Sequence, residues 1–152
     1  MELFLHLDTD TAGRIQHRYA FCTDITERKR AQQRIQRARD EYLSIANLTG
    51  DVIVKVTKEG KRIFVNDSAA KLWGTSKQAL IEKAFGRTHP DDVAKTKAAA
   101  HEVTTKQVVI SGLINRQRSP EGYHIIEWNL APVTDDQGNI TGYQATGRDI
   151  TE

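Results

Sequence analysis

IEWNLAPVTDDQGNITGYQATGRDITE, residues 126 to 152, repeats the pattern of MELFLHLDTDTAGRIQHRYAFCTDITE, residues 1 to 27. A shift of 125 positions lays one stretch over the other without a gap, and eleven of the 27 positions are identical: Glu2, Leu5, Thr9, Asp10, Gly13, Ile15, Ala20 and the whole of 24 to 27. Unrelated sequences would share about one or two such positions. Each stretch has an alternating strand, a polar turn reaching Gly13 or Gly138, a second strand, and then Asp-Ile-Thr-Glu. That grammar predicts a β-hairpin that hands over to a helix. The chain is therefore expected to come from a tandem array, with residues 1–25 the closing hairpin of one module, 26–48 a connector helix and 49–152 a complete second module.

Composition narrows the function. Hydrophobic residues make up 38 % of the chain and the net charge is +2, which suits a globular domain and gives no general attraction to polyanions. The single cysteine, Cys22, cannot close an internal disulfide and fits a reducing compartment. No apolar run has the length of a membrane span. A cytoplasmic location without membrane contact is the expectation.

From Asp24 to about Leu48 the chain lacks Pro and Gly and is rich in strong helix formers. Asp24 is placed to cap this helix, with Glu27 as its capping-box partner. Ala31, Ile35, Ala38, Tyr42 and Ile45 follow one another at spacings of 4, 3, 4 and 3, the seam of a two-stranded coiled coil, and predict a parallel homodimer. Gly50 ends the helix. A hairpin follows over 51–57 and 61–66, then a short helix capped by Asp67 or Ser68. A second helix, capped by Ser76, covers KQALIEKAF, and a third opens at His89-Pro90-Asp91-Asp92 and runs to about Thr104. Strands over 107–117, 123–133 and 139–150 complete the pattern. The fold class is α+β, an antiparallel sheet with short helices on one face.

This order, with Asp51-Val-Ile-Val, Gly60 and Asn66, Leu72-Trp73-Gly74 followed by Ser76 and Leu80, His89-Pro90-Asp91-Asp92, Gly122 with Trp128, and Gly138, Gly142 and Asp149-Ile-Thr, resembles the PAS family of sensor domains. The resemblance covers about residues 40–152, and residues 1–27 resemble the closing hairpin of a preceding PAS module. It implies a five-stranded antiparallel sheet acting as a sensory or dimerising input to an effector domain elsewhere in the parent protein, such as a histidine kinase or a cyclic-dinucleotide enzyme. It also implies that Asp24 and Thr26, and again Asp149 and Thr151, tether a strand end to a helix start, so that movement of the sheet reaches the helix.

The space between helices and sheet is the expected ligand site. Trp73, Phe85, Val109, Ser111, Leu113, Trp128 and Leu130 are expected to line it, with Ser111 and Gln144 as polar contacts. Strand alternation puts 109, 111 and 113 on one face, and Trp128 has the outer face of the sheet as its other placement. A small organic ligand, or none, is expected. Some PAS sensors hold haem through a histidine on the long helix, and His101 shares a face with Ala94, Ala98 and Thr105. It stands about one turn too far along, and an exposed histidine at a helix C-terminus is the preferred reading. Flavin photochemistry is not expected, because the cysteine it needs is replaced by AFGRTHPDD. No P-loop, GxGxxG or His-Glu-x-x-His motif supports catalysis, and the five histidines lack metal-ligand spacing. The basic run Arg28, Lys29, Arg30, Arg34, Arg37 and Arg39 is read as a solvated helix face rather than a nucleic-acid contact. The competing class is an interaction module whose cavity is filled by its own side chains.

Overall fold

The computed structural model describes residues 1–81 and 86–152. Two compact units divide it, Met1–Tyr42 and Leu43–Glu152. Helix α1 (Thr26–Thr49) belongs partly to each.

The first unit opens with strands β1 (Glu2–Thr9) and β2 (Ile15–Thr23), paired antiparallel. Leu3 faces Cys22 across the ladder, Leu5 faces Ala20, and the register slips between Asp8 and Thr9. The Asp10 carboxylate accepts the backbone N–H groups of Ala12 and Arg14, both at 2.9 Å, and Gly13 takes a φ of 77°. Leu3, Leu5, Leu7 and Phe21 are all more than half exposed on this hairpin. At its end the Asp24 carboxylate accepts the backbone N–H of Thr26 at 2.9 Å and the Thr26 hydroxyl at 2.6 Å, which holds the first residue of α1.

In the second unit, β3 (Val52–Thr57) and β4 (Arg62–Val65) form a hairpin. Short helices α2 (Asp67–Trp73) and α3 (Lys77–Leu80) follow, then α4 (Pro90–Lys106) and strands β5 (Ile110–Ser119), β6 (Gly122–Thr134) and β7 (Ile140–Asp149). The five strands form one sheet in the order β4-β3-β7-β6-β5, antiparallel at every pairing. β3 and β7 lie next to each other at the centre although they are far apart in sequence, which closes the domain on itself. Val52, Val54 and Val56 of β3, Trp128 and Leu130 of β6, and Tyr143 and Ala145 of β7 share one core with Ala69 and Trp73 of α2, Leu80 of α3, and Ala99, Ala100 and Val103 of α4.

Helix ends follow local chemistry, with two departures from expectation. Asn66, rather than Asp67 or Ser68, caps α2, because its carboxamide oxygen reaches the N–H of Ala69 at 3.1 Å while Asp67 is already the first helical residue. α3 ends at Leu80 with Ile81 in an extended conformation, and residues 82–85 of the expected span, Phe85 among them, lie outside the described residues. Ser76 caps α3 and His89 caps α4, which carries Pro90 in its first turn. Gly74 ends α2 in the left-handed conformation, and a side chain there would meet Pro120.

The β6–β7 hairpin repeats the geometry of β1–β2 position by position. Trp128 faces Gly147 and Leu130 faces Ala145, as Leu3 faces Cys22 and Leu5 faces Ala20, and the register slips at the matching place, between Val133 and Thr134. The Asp135 carboxylate accepts from Gln137 and Asn139, and Gly138 takes a φ of 83°. One opposed pair exchanges volume. A Cβ on Gly147 would sit 2.6 Å from the Trp128 ring, whereas Cys22 has only a leucine opposite.

Candidate functional site

A cavity of about 40 Å³ lies within the second unit, between the inner face of the sheet and the helices. Val54, Val56, Leu113, Leu130 and Ala145 form its aliphatic wall, and Trp73, Trp128 and Tyr143 are its aromatic members among the described residues. Its polar side is a connected chain. The Trp128 indole N–H donates to Asn115 Oδ1 at 2.8 Å, and Gln117 Nε2 donates to the same oxygen at 2.9 Å and to Thr88 Oγ1 at 3.1 Å. Asn115 Nδ2 donates to Thr96 Oγ1 at 3.0 Å, and that hydroxyl donates to the Asp92 carbonyl at 2.7 Å. These bonds satisfy Asn115 and Gln117, both almost fully buried, and tie β5 to α4.

Arg62 enters from β4. It is 2 % exposed, its guanidinium lies 4.6 Å from the centroid of the Trp73 ring, and its Nη1 donates to the Leu80 carbonyl at 3.0 Å. Loss of water pulls its pKa down to about 10. Burial pushes the Tyr143 hydroxyl up to about 12 against the opposing pull of Arg62, so it stays a neutral phenol. The Trp73 indole N–H is buried and has no hydrogen-bond partner among the described residues.

Of the residues expected at the cavity, Trp73, Leu113, Trp128 and Leu130 line it, and Trp128 points inward rather than to the outer face. Val109 and Ser111 do not. Ile110 faces Leu130 and Leu113 faces Trp128, so two residues of β5 oppose the single Asn129, and Gly112 takes a φ of 75°. This bulge resets the alternation, turning Ile110, Leu113, Asn115 and Gln117 to the inner side and leaving Val109 and Ser111 exposed. Gln144 lies between the buried Tyr143 and Ala145 and therefore takes the opposite face. A second bulge brings in Arg62: Lys55 faces Phe64 but Val56 faces Arg62, so the exposed Ile63 is the extra residue. Arg62, Asn115, Gln117 and Tyr143 were missed because polarity alone argued against burial. The usable signal was the period-two run Leu113, Asn115, Gln117, which puts both polar residues on the face already expected for Leu113.

His101 is exposed and lines a separate outer groove with Lys58, Gly60, Lys97 and Thr104. Among the described residues no three His, Cys, Asp or Glu side chains gather to hold a metal ion. Asp92 and Arg116 carry the strongest ion pair near the site. Asp92 is 5 % exposed and accepts from Nε and Nη2 of Arg116 at 2.8 and 3.1 Å, with Lys95 at 3.0 Å. The Arg116 hydrogen bonds hold the Asp92 carboxyl well below the usual carboxylate range. The pair clamps the start of α4 to β5, a stronger role than the dipole function expected from sequence.

At the exit, the Asp149 carboxylate accepts the Thr151 N–H at 2.9 Å, the arrangement seen at Asp24, and also meets His124 Nδ1 at 2.6 Å. The Thr151 hydroxyl accepts the Ile125 N–H at 2.7 Å. At the entrance, Asn66 Nδ2 donates to Asn47 Oδ1 of α1 and to the Asp51 carbonyl, both at 2.9 Å. Arg148 meets Asp51 at 3.2 Å, which ties the exit strand to the entrance. On α1, Ile35, Tyr42 and Ile45 are 71 %, 48 % and 55 % exposed; Ala38 is exposed and Ala31 half-buried, so the seam is a solvent-facing stripe in the single chain.

Residues 47–152 match the PAS fold family, and the chain belongs to it. The PAS domain of a protein from Colwellia psychrerythraea is 23 % identical, with a TM-score of 0.66 over 77 % of this chain and 98 % of that one. A sensory box histidine kinase/response regulator from Burkholderia thailandensis is 15 % identical, with a TM-score of 0.58 over 72 % and 84 %. The N-terminal domain of a diguanylate cyclase with PAS/PAC sensor from Marinobacter aquaeolei is 18 % identical, with a TM-score of 0.55 over 66 % and 95 %. No curated protein matches the chain. Among the described residues no helix is long and apolar enough to cross a membrane.

Proposed function

We propose that the chain is a sensory and dimerising PAS module of a cytoplasmic signalling protein, without catalytic activity of its own, which passes a signal through its flanking helices to an effector domain in the same parent chain. The observation that carries this reading is a connection from cavity to helix that runs along α2 and through Asn66. Trp73 lines the cavity on α2, Asn66 caps α2, and the Asn66 carboxamide also binds Asn47 on α1. A shift of α2 on ligand entry has a direct mechanical path to α1. Residues 1–25 are then the closing hairpin of a preceding PAS module, as the matched register of the two hairpins supports, and the seam Ala31, Ile35, Ala38, Tyr42 and Ile45 is where a second copy pairs. Histidine kinases and diguanylate cyclases are the effector classes that the similar proteins suggest.

Hydrogen exchange tests the route. Leu113→Ala, which enlarges the cavity, should change exchange at residues 43–49 and 149–151, and Asn66→Ala should disconnect the change at 43–49. Indifference of both segments to the cavity substitution refutes signalling through them. The second reading, a ligand-free interaction module, is favoured by one observation: Trp73 and Trp128 are only 2 % and 5 % exposed, and the space they line is only about 40 Å³. Native mass spectrometry of the purified chain separates the two readings.

A further inference from the structure

We infer that the Trp73 side of the cavity binds a small neutral carbonyl compound of about three or four heavy atoms, a short aldehyde or ketone; this rests on the sensory reading and names the chemistry of its signal. The Trp73 indole N–H can only donate. It lies in a residue 2 % exposed that lines the cavity, and no described residue accepts from it. A buried donor without an acceptor is costly, and an arriving acceptor oxygen removes that cost. Trp128 lines the same cavity but donates to Asn115 Oδ1 at 2.8 Å, so the two indoles differ in this respect alone: one is matched within the chain and the other awaits a partner.

The rest of the ligand follows from its other neighbours. Val54, Val56, Leu113, Leu130 and Ala145 offer aliphatic surface, which suits a hydrocarbon body better than a water molecule that needs two to four polar partners. Asn115 Oδ1 already receives N–H donors from Trp128 and Gln117, so a ligand O–H or N–H would have to compete for it. An acceptor that brings no donor avoids that competition, which favours a carbonyl over an alcohol or an amide. Arg62 is engaged by the Leu80 carbonyl among other partners, so its charge makes no call for an anion. One water needs roughly 10–15 Å³ by this measure, so a cavity of about 40 Å³ has room for about three such groups, the scale of acetaldehyde or acetone.

The chain has two tryptophans, so two indole N–H signals in a nitrogen-15 correlation spectrum report the site directly. Acetone titrated into the intact chain should move the Trp73 indole proton downfield saturably and leave that of Trp128, already bonded to Asn115, nearly in place. Isobutene has the shape of acetone without the acceptor, and should leave the Trp73 proton where it was. Trp73→Phe keeps a ring and removes the N–H; read from the Leu113 and Leu130 methyl signals, it should weaken acetone about fivefold, the scale of one neutral hydrogen bond. The wild-type indole shift carries the test if that variant does not fold. No saturable response to acetone, an equal downfield shift with isobutene, or full acetone affinity in a folded Trp73→Phe variant would overturn the inference. So would a Trp73 proton that already holds the bonded position without acetone and is in contact with water, or isopropanol bound as tightly as acetone. Saturable acetone binding with no change in exchange at 43–49 or 149–151 would leave this site standing and remove the signalling reading. Exchange there that responds to Leu113→Ala in a chain that ignores acetone would do the reverse.

Discussion

Replacing Asn66 with alanine tests the joint between cavity and helix. Asn66 is 2 % exposed, and its side chain closes four bonds: it accepts from Ile53 N at 3.0 Å and Ala69 N at 3.1 Å, and donates to Asn47 Oδ1 and the Asp51 carbonyl, both at 2.9 Å. Ile53 and Ala69 are 1 % and 0 % exposed, so water cannot replace the lost acceptor at either. Each buried N–H left without a partner costs about 1–2 kcal/mol, and the cap of α2 is included in that figure through Ala69. The two lost donors add less, because Asn47 and Asp51 are half-buried and water can reach them. A total of about 3–4 kcal/mol follows, a large share of the roughly 5–15 kcal/mol available to a domain. With a urea dependence of about 1.5–2 kcal/mol per molar, the unfolding midpoint should fall by about 2 M. Asn66→Asp keeps the acceptor for Ile53 and Ala69 but turns an anionic oxygen on Asn47 and Asp51, so it should lie between wild type and alanine. A loss below about 1 kcal/mol for Asn66→Ala would mean that these bonds do not hold α1, β3 and α2 together, and the proposed route would lose its central link.

Asp92→Asn should change how stability depends on pH. The folded carboxyl lies below its ordinary value because Arg116 donates to it, so its contribution is present above the unfolded carboxylate range near pH 4 and is lost as pH falls through the folded value. Between pH 5 and pH 2 the wild-type urea midpoint should fall more steeply than that of the variant, and parallel curves would count against the pair. Gly142→Ala should cost at least about 2 kcal/mol, since the new Cβ would sit 2.0 Å from the Val56 carbonyl oxygen and 2.9 Å from Thr57 Cα, backbone atoms that cannot swing aside. Unchanged stability on denaturant titration would show that β3 can separate from β7 at no cost. The joint substitution of Ile35 and Tyr42 by glutamate should reduce a dimer to the 17.1 kDa monomer in sedimentation equilibrium, and a retained dimer mass would move the interface away from α1.

Local chemistry was legible in the sequence wherever a short segment sets its own conformation. The tetrapeptide Asp-Ile-Thr-Glu announced the strand-to-helix junction between β2 and α1, and the same carboxylate-to-N–H bond closes at the ends of both hairpins, at Asp24 and Asp149. The self-match between residues 1–27 and 126–152 anticipated two hairpins of one register, because pairing inside a hairpin is fixed by its turn and its alternation. The cap of α2 was placed one or two residues late, at Asp67 or Ser68, since Asn, Asp and Ser are all good caps and only the distant contacts of Asn66 decide among them.

Burial of the polar residues was a tertiary decision. Alternation placed Val109 and Ser111 inside with Leu113, and one extra residue at the β5 bulge exchanged those two for Ile110, while Asn115 and Gln117 keep the phase of Leu113. A bulge is set by the partner strand, which must supply one residue against two, so no window of β5 alone can reveal it. The same holds for Arg62, carried inward where Val56 opposes it. The sequence by itself thus determined the family, the order of elements and the chemistry of the junctions, each written in spacings of a few residues. Only the packed sheet decided what lines the cavity, because a bulge exists only where two strands pair and neither strand alone shows which residue is extra.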